Sequence, residues 1–457
     1  MKKRKVIAAG ILMCGLFLSG CSGQDAAQFF NGAEEVSVDN DTKNQQSVDN
    51  QNGGNAENKL EDSGANVNDE NSNNKTGSST EYPNGNSAGT SENSNEKTAQ
   101  SERDERKETY TGATISLVMV GDMLLHTPVE ESALQEDGKY NFDAIFANTR
   151  SQIQVADIAL VNQEVIIGGE ELGISGYPCF NAPYEAGDAL VNAGFDVICH
   201  ATNHALDQGK KGVKNCLNFW KNSYPETTVL GINQSQEAQD SIYIYEQDGI
   251  QIAILNYTYG TNGIEIPSDM PYAVNLLNEE KVTADIKKAE ELADFTVVCP
   301  HWGTEYELGI SAEQEKWTKL FMENGVDLVL GTHPHVIEPI ELLVDEETGN
   351  EMLVYYSLGN FVNWTASSGE GIANRMVGGM AEVTIGQETN GEGFILDYGV
   401  TAVVCHLEEG TNGVTTYPLS KYSEELAEKN KIIAQDSNFS KEYCTTLCNT
   451  VWGDLWK

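Results

Sequence analysis

The chain has 457 residues and a formal net charge of −42, which gives length for two or three ordinary domains. It is far too acidic to seek polyanions non-specifically, so nucleic acid is excluded as a natural partner. The imbalance is not confined to a tail: residues 111–457 hold 52 acids against 17 bases, with Arg150 and Arg375 the only arginines. A region so negative must either bind cations or confine an anionic substrate to a locally positive spot.

Met1-Lys2-Lys3-Arg4-Lys5 followed by an apolar run from Val6 to Leu18 predicts an export signal over residues 1–21. The run is shorter than the roughly 20 residues a spanning helix needs. Its ending, Leu18-Ser19-Gly20-Cys21, resembles the lipobox of bacterial lipoproteins. That resemblance implies diacylation of Cys21, a membrane partner through the lipid anchor, and a place on the outer face of the bacterial cell membrane. The alternative is a cleaved secretory signal with an incidental cysteine. Residues 22–111 are rich in Asn, Ser and Glu, with Phe29, Phe30, Tyr82 and Tyr110 as their only aromatics. Such a stretch cannot bury enough apolar surface to offset chain entropy, and predicts a disordered linker reaching on the order of 50 Å as a coil.

From residue 112 onward, β-branched runs alternate with segments of helical period, the pattern of an α/β domain. Strands are predicted at 115–120, 158–162, 195–199, 242–245, 250–257, 295–299, 327–330, 352–357 and 381–385, with a further pair within 394–406. Asp248-Gly249 between two of these runs reads as a hairpin turn. Helices are predicted near 143–155, 185–193, 209–221, 279–293 and 312–324, the last stopping at Gly325. The domain is expected to span 112–420 and a helical extension 421–457. No Cys-x-x-Cys ladder occurs, so no disulfide framework is expected. Cys199 and Cys299 read as buried hydrophobes, and Cys444 and Cys448 as neighbours on one helix face.

Polar residues break the strand ends. The runs deliver, in order, Gly121-Asp122 with His126 beyond, Asn162-Gln163-Glu164, His200-Ala201-Thr202-Asn203-His204-Ala205-Leu206-Asp207, Pro300-His301-Trp302-Gly303 and Gly331-Thr332-His333-Pro334-His335. Open α/β sheets place their sites at these carboxyl ends. Six of the seven histidines fall in these motifs and only His406 does not. Imidazoles together with carboxylates suit first-row divalent metals; a histidine-rich hydrogen-bond network is the structural alternative.

These motifs, with Ser357-Leu358-Gly359-Asn360-Phe361, resemble the ordered series of the CapA family, the poly-gamma-glutamate capsule biosynthesis proteins, related to the calcineurin-like metallophosphoesterases. The resemblance runs from about residue 115 to 362. It implies a four-layer αββα sandwich with two divalent metal ions (Mn, Zn or Fe) at one edge of the sheets. It further implies that Asp122, Asn203, His301, His333 and His335 are metal ligands, with Glu164 in place of a bridging aspartate. His204 would be the catalytic acid or anion stabiliser, and Asp207 its orienting partner. The chain departs from the phosphoesterase pattern in three places. His126 lies four residues after Asp122 rather than two, the bridging residue is a Glu, and Thr202 precedes the Asn-His pair.

Arg375 is a candidate for holding a substrate carboxylate or phosphate, or else a surface or helix-cap residue. Trp302 and Tyr306 either wall the pocket or pack beneath the sheet. The function this implies is a metal-dependent hydrolase or transferase acting on a phosphoester or gamma-glutamyl bond of an anionic envelope polymer or its precursor. The second reading is a non-catalytic accessory of a capsule-polymer synthase, with synthase subunits as partners. A wall-binding lipoprotein is the third, and it leaves five convergent strand ends unexplained.

Overall fold

The computed structural model describes residues 110–345 and 348–456. The expected export signal, Cys21 and nearly all of the expected linker lie outside the described residues. The strands are β1 (Tyr110–Met123), β2 (Ile158–Asn162), β3 (Val197–Cys199), β4 (Thr228–Leu230), β5 (Tyr243–Gln247), β6 (Ile250–Thr258), β7 (Phe295–His301), β8 (Leu328–Leu330), β9 (Ile340–Val344), β10 (Glu351–Tyr355), β11 (Asn360–Val362), β12 (Val377–Glu388), β13 (Gly393–Leu407) and β14 (Val414–Pro418).

They form two sheets. One has the order β14-β13-β12-β1-β2-β3-β4, with β11 pairing the end of β1, and the other β5-β6-β7-β8-β10-β9. The runs β1-β2-β3-β4 and β6-β7-β8-β10 are parallel. Parallel strands need crossovers, and the helices Tyr184–Ala193, Gly209–Ser223, Glu279–Glu290 and Ala312–Glu323 supply them. The last of these has a capping box, in which Ser311 and Gln314 satisfy each other's backbone amides, and it ends before Gly325 at φ 94°, as its sequence predicts.

Side-chain alternation explains the layering. Along β6, β7, β8 and β10, Ile252, Ile254, Val297, Leu328, Leu330 and Leu353 join β1 and β2 in one buried core. The intervening Ala253, Leu255, Val298, Val329 and Val354 join Val282, Ile286, Trp317 and Phe321 of two outer helices in another. Strands buried on both faces read as unbroken apolar runs, and each large aliphatic side chain so buried contributes about 1.5–3 kcal/mol. The result is the expected four-layer α/β sandwich.

The hairpin at Asp248-Gly249 forms with both residues at positive φ, placing Gln247 opposite Ile250. Residues after 420 carry helices Glu424–Lys429 and Lys441–Trp452. Cys444, Leu447, Cys448 and Trp452 belong to the main core, and Trp452 Nε1 donates to Glu338 O at 2.9 Å. This stretch is therefore structurally continuous with the sandwich. The seven cysteines among the described residues are free, all but Cys179 buried.

Candidate metal centre

The carboxyl ends of the parallel strands meet at one edge of the sandwich. β1 brings Asp122, β2 brings Asn162 with Glu164 beyond it, and the turn after β3 brings Asn203 and His204. β7 ends in His301, the loop after β8 carries His333 and His335, and β11 begins at Asn360. Local sequence permits this crowding. A Cβ on Gly121 would lie 1.9 Å from Gly359 O; without one, Asp122 N donates to that oxygen at 2.9 Å and Asp122 falls in register with Asn360. His333 and His335 adopt φ of 101° and 60°, and Tyr306 opposite them 70°. Such left-handed conformations cost of order 1–3 kcal/mol at non-glycine residues and concentrate at functional sites. Tyr306 N donates to Pro334 O at 2.8 Å, pinning the His-Pro-His loop.

Asp122 is fully buried and tightly held. Asn162 Nδ2 donates to its Oδ1 at 2.9 Å, and His335 Nδ1 lies 3.0 Å from its Oδ2 and 3.1 Å from Asn360 Oδ1. His335 Nε2 points to Glu164 Oε1 at 3.5 Å, and His301 Nε2 lies 3.7 Å from the same oxygen. His301 is further fixed by Asn203 Oδ1 at 3.0 Å and Thr332 Oγ1 at 3.1 Å. Asn203 in turn donates its Nδ2 to Asn262 Oδ1 at 3.2 Å. Burial works against charge on His335, but Glu164 and Asp122 together raise it to about 9. Burial first, and then the neighbouring imidazoles, drive His301 and His333 well below the usual histidine range, so both are neutral. Neutral imidazole is the form that ligates a metal.

Among the described residues, both oxygens of Glu164, Nδ1 of His333 and Oδ1 of Asn162 are buried without a hydrogen-bond partner. Four atoms without a hydrogen bond in one buried cluster would be costly in a protein that binds nothing there. Donor atoms of Glu164, His333 and His335 lie within 4.8 Å of one another. Nitrogen and carboxylate donors at such spacing fit divalent cations, which satisfy the orphaned atoms and offset the acids.

His204 sits beside this cluster. Its Nδ1 is 2.6 Å from Asp207 Oδ2, and the same oxygen accepts from Phe180 N at 2.7 Å. The ring stands edge-on to Phe180, 4.6 Å between centroids. His204 and Asp207, with Asn203, His335 and Asn360, line a cavity of about 950 Å³ whose walls include His126, Tyr177, Asn262, Glu305, Tyr306, Asn363, Trp364 and Arg375.

Asp122, Glu164, Asn203, His204, His301, His333 and His335 are thus brought together, Asp207 adjoins His204, and Arg375 reaches the cavity. Trp302 does not. It is fully buried on the other face of β7, stacked on Phe321 and Tyr356 with its Nε1 donating to Tyr356 O at 2.9 Å. It is core, and of the two aromatics Tyr306 lines the cavity. His200 likewise turns away, its Nε2 3.5 Å from Cys216 Sγ, with burial lowering it to about 3. His126 faces the cavity against Phe180, lowered to about 4 by burial and then by nearby positive groups. Asn162, Asn262 and Thr332 had no role assigned from sequence. The first and last stand inside the strand-end motifs and were readable there; Asn262 lies in a loop with no such signal.

A layered α/β protein with buried, unpaired imidazole, carboxylate and amide donors at its carboxyl edge is a candidate metalloprotein. Residues 116–365 match the family described as bacterial capsule synthesis protein PGA_cap, and the chain belongs to that family. It is 28% identical over 269 residues to the PGA biosynthesis protein CapA of Bacillus subtilis, covering 56% of this chain and 66% of that one. It is 27% identical over 265 residues to the capsule biosynthesis protein CapA of Bacillus anthracis, covering 55% and 61%. The match thus spans slightly under two thirds of each relative's length. Among solved structures it is similar to a hypothetical protein of Thermus thermophilus, with a TM-score of 0.35 and 14% identity over 63% of this chain and 98% of that one. The NAD nucleotidase of Haemophilus influenzae gives 0.39 and 11%, over 76% and 64%.

Proposed function

We propose that this chain is a metal-dependent hydrolase or transferase of the cell envelope, cutting or transferring a phosphoester or gamma-glutamyl bond of an anionic capsule polymer or its precursor. Asp122, Glu164, Asn203, His301, His333 and His335 would hold two divalent cations. Acylated Cys21 would tether the domain to the outer face of the membrane. The names of the Bacillus relatives support a role in capsule or poly-gamma-glutamate synthesis. The observation that carries the catalytic reading is the joint burial of unpaired Glu164, His333 and Asn162 atoms beside a His204–Asp207 pair at the floor of an open cavity.

Divalent cations bound there would polarise a substrate oxygen and supply the positive field that this acidic domain lacks. The protein's own part is acid–base work and positioning. Asp207 occupies Nδ1 of His204, which leaves Nε2 to deliver a proton to a leaving group or stabilise developing negative charge. Asn262 orients Asn203 so that its amide oxygen faces the cluster.

Metal analysis of the purified chain after gentle dialysis, paired with a panel of phosphodiester and gamma-glutamyl amide substrates, tests this. Stoichiometric metal is expected, reduced in His335→Ala. His204→Ala should keep the metal and lose about 10²–10⁴-fold in turnover. A metal-free wild type sinks the reading. Metal without turnover on either substrate class would favour the non-catalytic accessory of a polymer synthase.

A further inference from the structure

The stretch after residue 420 supplies nothing to the metal centre, yet it holds one wall of the cavity. Residues 365–371 join Trp364, packed against the main core, to the short helix Ile372–Met376, whose Ile372, Ala373 and Met376 are core residues. Trp364 and Arg375 at these two anchors line the cavity, and so do Thr365, Ala366 and Ser367 between them. From Ala366 to Glu370 every residue is exposed. Gly369 and Gly371 adopt φ of 138° and 88°, which only glycine does freely, so the chain bends at both.

What holds this loop down comes from the C-terminal extension. Gln435 Nε2 donates to Thr365 O at 2.5 Å and to Ser367 O at 2.8 Å, and Gln435 O accepts from Gly369 N at 2.9 Å. Its neighbours pin the far anchor. Asp436 Oδ2 accepts from Ala373 N at 3.1 Å, and Tyr443 OH donates to Asn374 Oδ1 at 2.5 Å. Two carbonyls facing one side-chain amide require its nitrogen there, and Gln435 Oε1 is left without a partner among the described residues. Among those residues, 366–371 make no hydrogen bond to either sheet. A segment with exposed side chains, two glycine bends and a single clasp belongs to the low-stability end of a fold. It can lift while Trp364 and the Ile372–Met376 helix stay in the core.

We propose that residues 366–371 form a lid over the cavity mouth and that Gln435 is its latch, so that the C-terminal extension controls access to the site. Both parts lie beyond residue 365, where the family match ends. The proposal rests on the reading of the cavity, which Asn203 and His335 also line, as the way to the metal centre.

Hydrogen–deuterium exchange of the purified chain, read by mass spectrometry, together with the rate of metal loss to excess EDTA, tests the latch. Gln435→Glu keeps the size of the side chain, removes both donors and turns an acceptor toward two carbonyls. Exchange in peptides covering 365–373 should quicken by about tenfold, the size of one or two lost hydrogen bonds. β12 and β13 should exchange as in wild type, with the melting temperature unchanged. Metal loss should quicken by a similar factor, because escape through the mouth scales with the open fraction. Gln435→Ala removes the same donors without adding charge and replaces the Glu variant should that one fold poorly. Unchanged exchange over 365–373 in a folded variant overturns the proposal. So does quickening that spreads evenly into β12 and β13, or an opened loop with an unchanged rate of metal loss. If the wild type holds no metal, the catalytic reading fails and exchange alone decides the latch. If metal and turnover are present while the loop is indifferent to Gln435, the latch fails alone.

Discussion

Asp207 satisfies two neighbours with one oxygen, the Phe180 amide at 2.7 Å and His204 Nδ1 at 2.6 Å. The two roles separate by substitution. Asp207→Asn retains an acceptor of the same shape and should unfold within about 1 kcal/mol of wild type, whereas Asp207→Ala leaves a buried amide unpaired and should lose about 1–3 kcal/mol in urea titration. Both should keep their metal, and both should depress turnover, because the charge that orients the imidazole is gone in each. Equal stability of the two variants would mean that the Phe180 contact is dispensable. This pair was legible in the sequence because its members are three residues apart. Asn262 was not, since its place against Asn203 depends on a turn with φ 51° in a loop far along the chain. Strand geometry decides between the two readings of Trp302: successive residues point to opposite faces, so with His301 facing the site, Trp302 faces the helices and packs beneath the sheet.

At the scale of elements, the centre depends on how closely β1 approaches the Leu358-Gly359 turn. Gly121→Ala would drive a methyl group into the backbone oxygen of Gly359, and that turn leads directly into Asn360. The expected outcome is a loss of about 1–3 kcal/mol or more, with weakened metal retention because Asp122 and Asn360 move apart. Gly260→Ala, where an added Cβ meets nothing within 4 Å, is the control and should stay within about 0.5 kcal/mol. Denaturant unfolding with metal analysis of both variants decides it; a Gly121→Ala protein as stable and as metal-rich as the control would refute the close-approach argument. The central strands were readable because burial on both faces leaves them apolar throughout. β11, three residues long, and β9, a half-buried edge strand, carry no such signal because neither needs a long apolar run. β1 and β12 extend further than their apolar stretches, since their outer ends pair with each other through residues such as Thr114 with Gly386 and Tyr110 with Glu388.

At the scale of the molecule, the outer helices, the second sheet and the C-terminal helix meet at Glu338. Its backbone oxygen accepts from Trp452, its carboxylate from Gln314 Nε2 at 2.5 Å, and its Oε1 has no partner among the described residues. Burial pushes this carboxyl up to about 8 from an ordinary 4.5, with Gln314 opposing. The folded protein therefore keeps a proton that the unfolded chain releases near pH 4.5. Between those two values the native state binds more protons, so stability falls as pH rises, and above about pH 8 the loss is complete. Its full size is on the order of 3–5 kcal/mol. Glu338→Gln keeps an acceptor for Gln314 and has nothing to ionise. In urea titrations with chelator present it should match wild type near pH 4.5 and exceed it by roughly 2–4 kcal/mol at pH 8.5. Glu130, also buried and raised to about 8, gives both proteins a second slope of the same sign, so the difference between the two curves isolates Glu338. Curves that stay parallel from pH 4.5 to 8.5 would mean that Glu338 is ionised in the folded state and that its charge is compensated where three layers of the sandwich join.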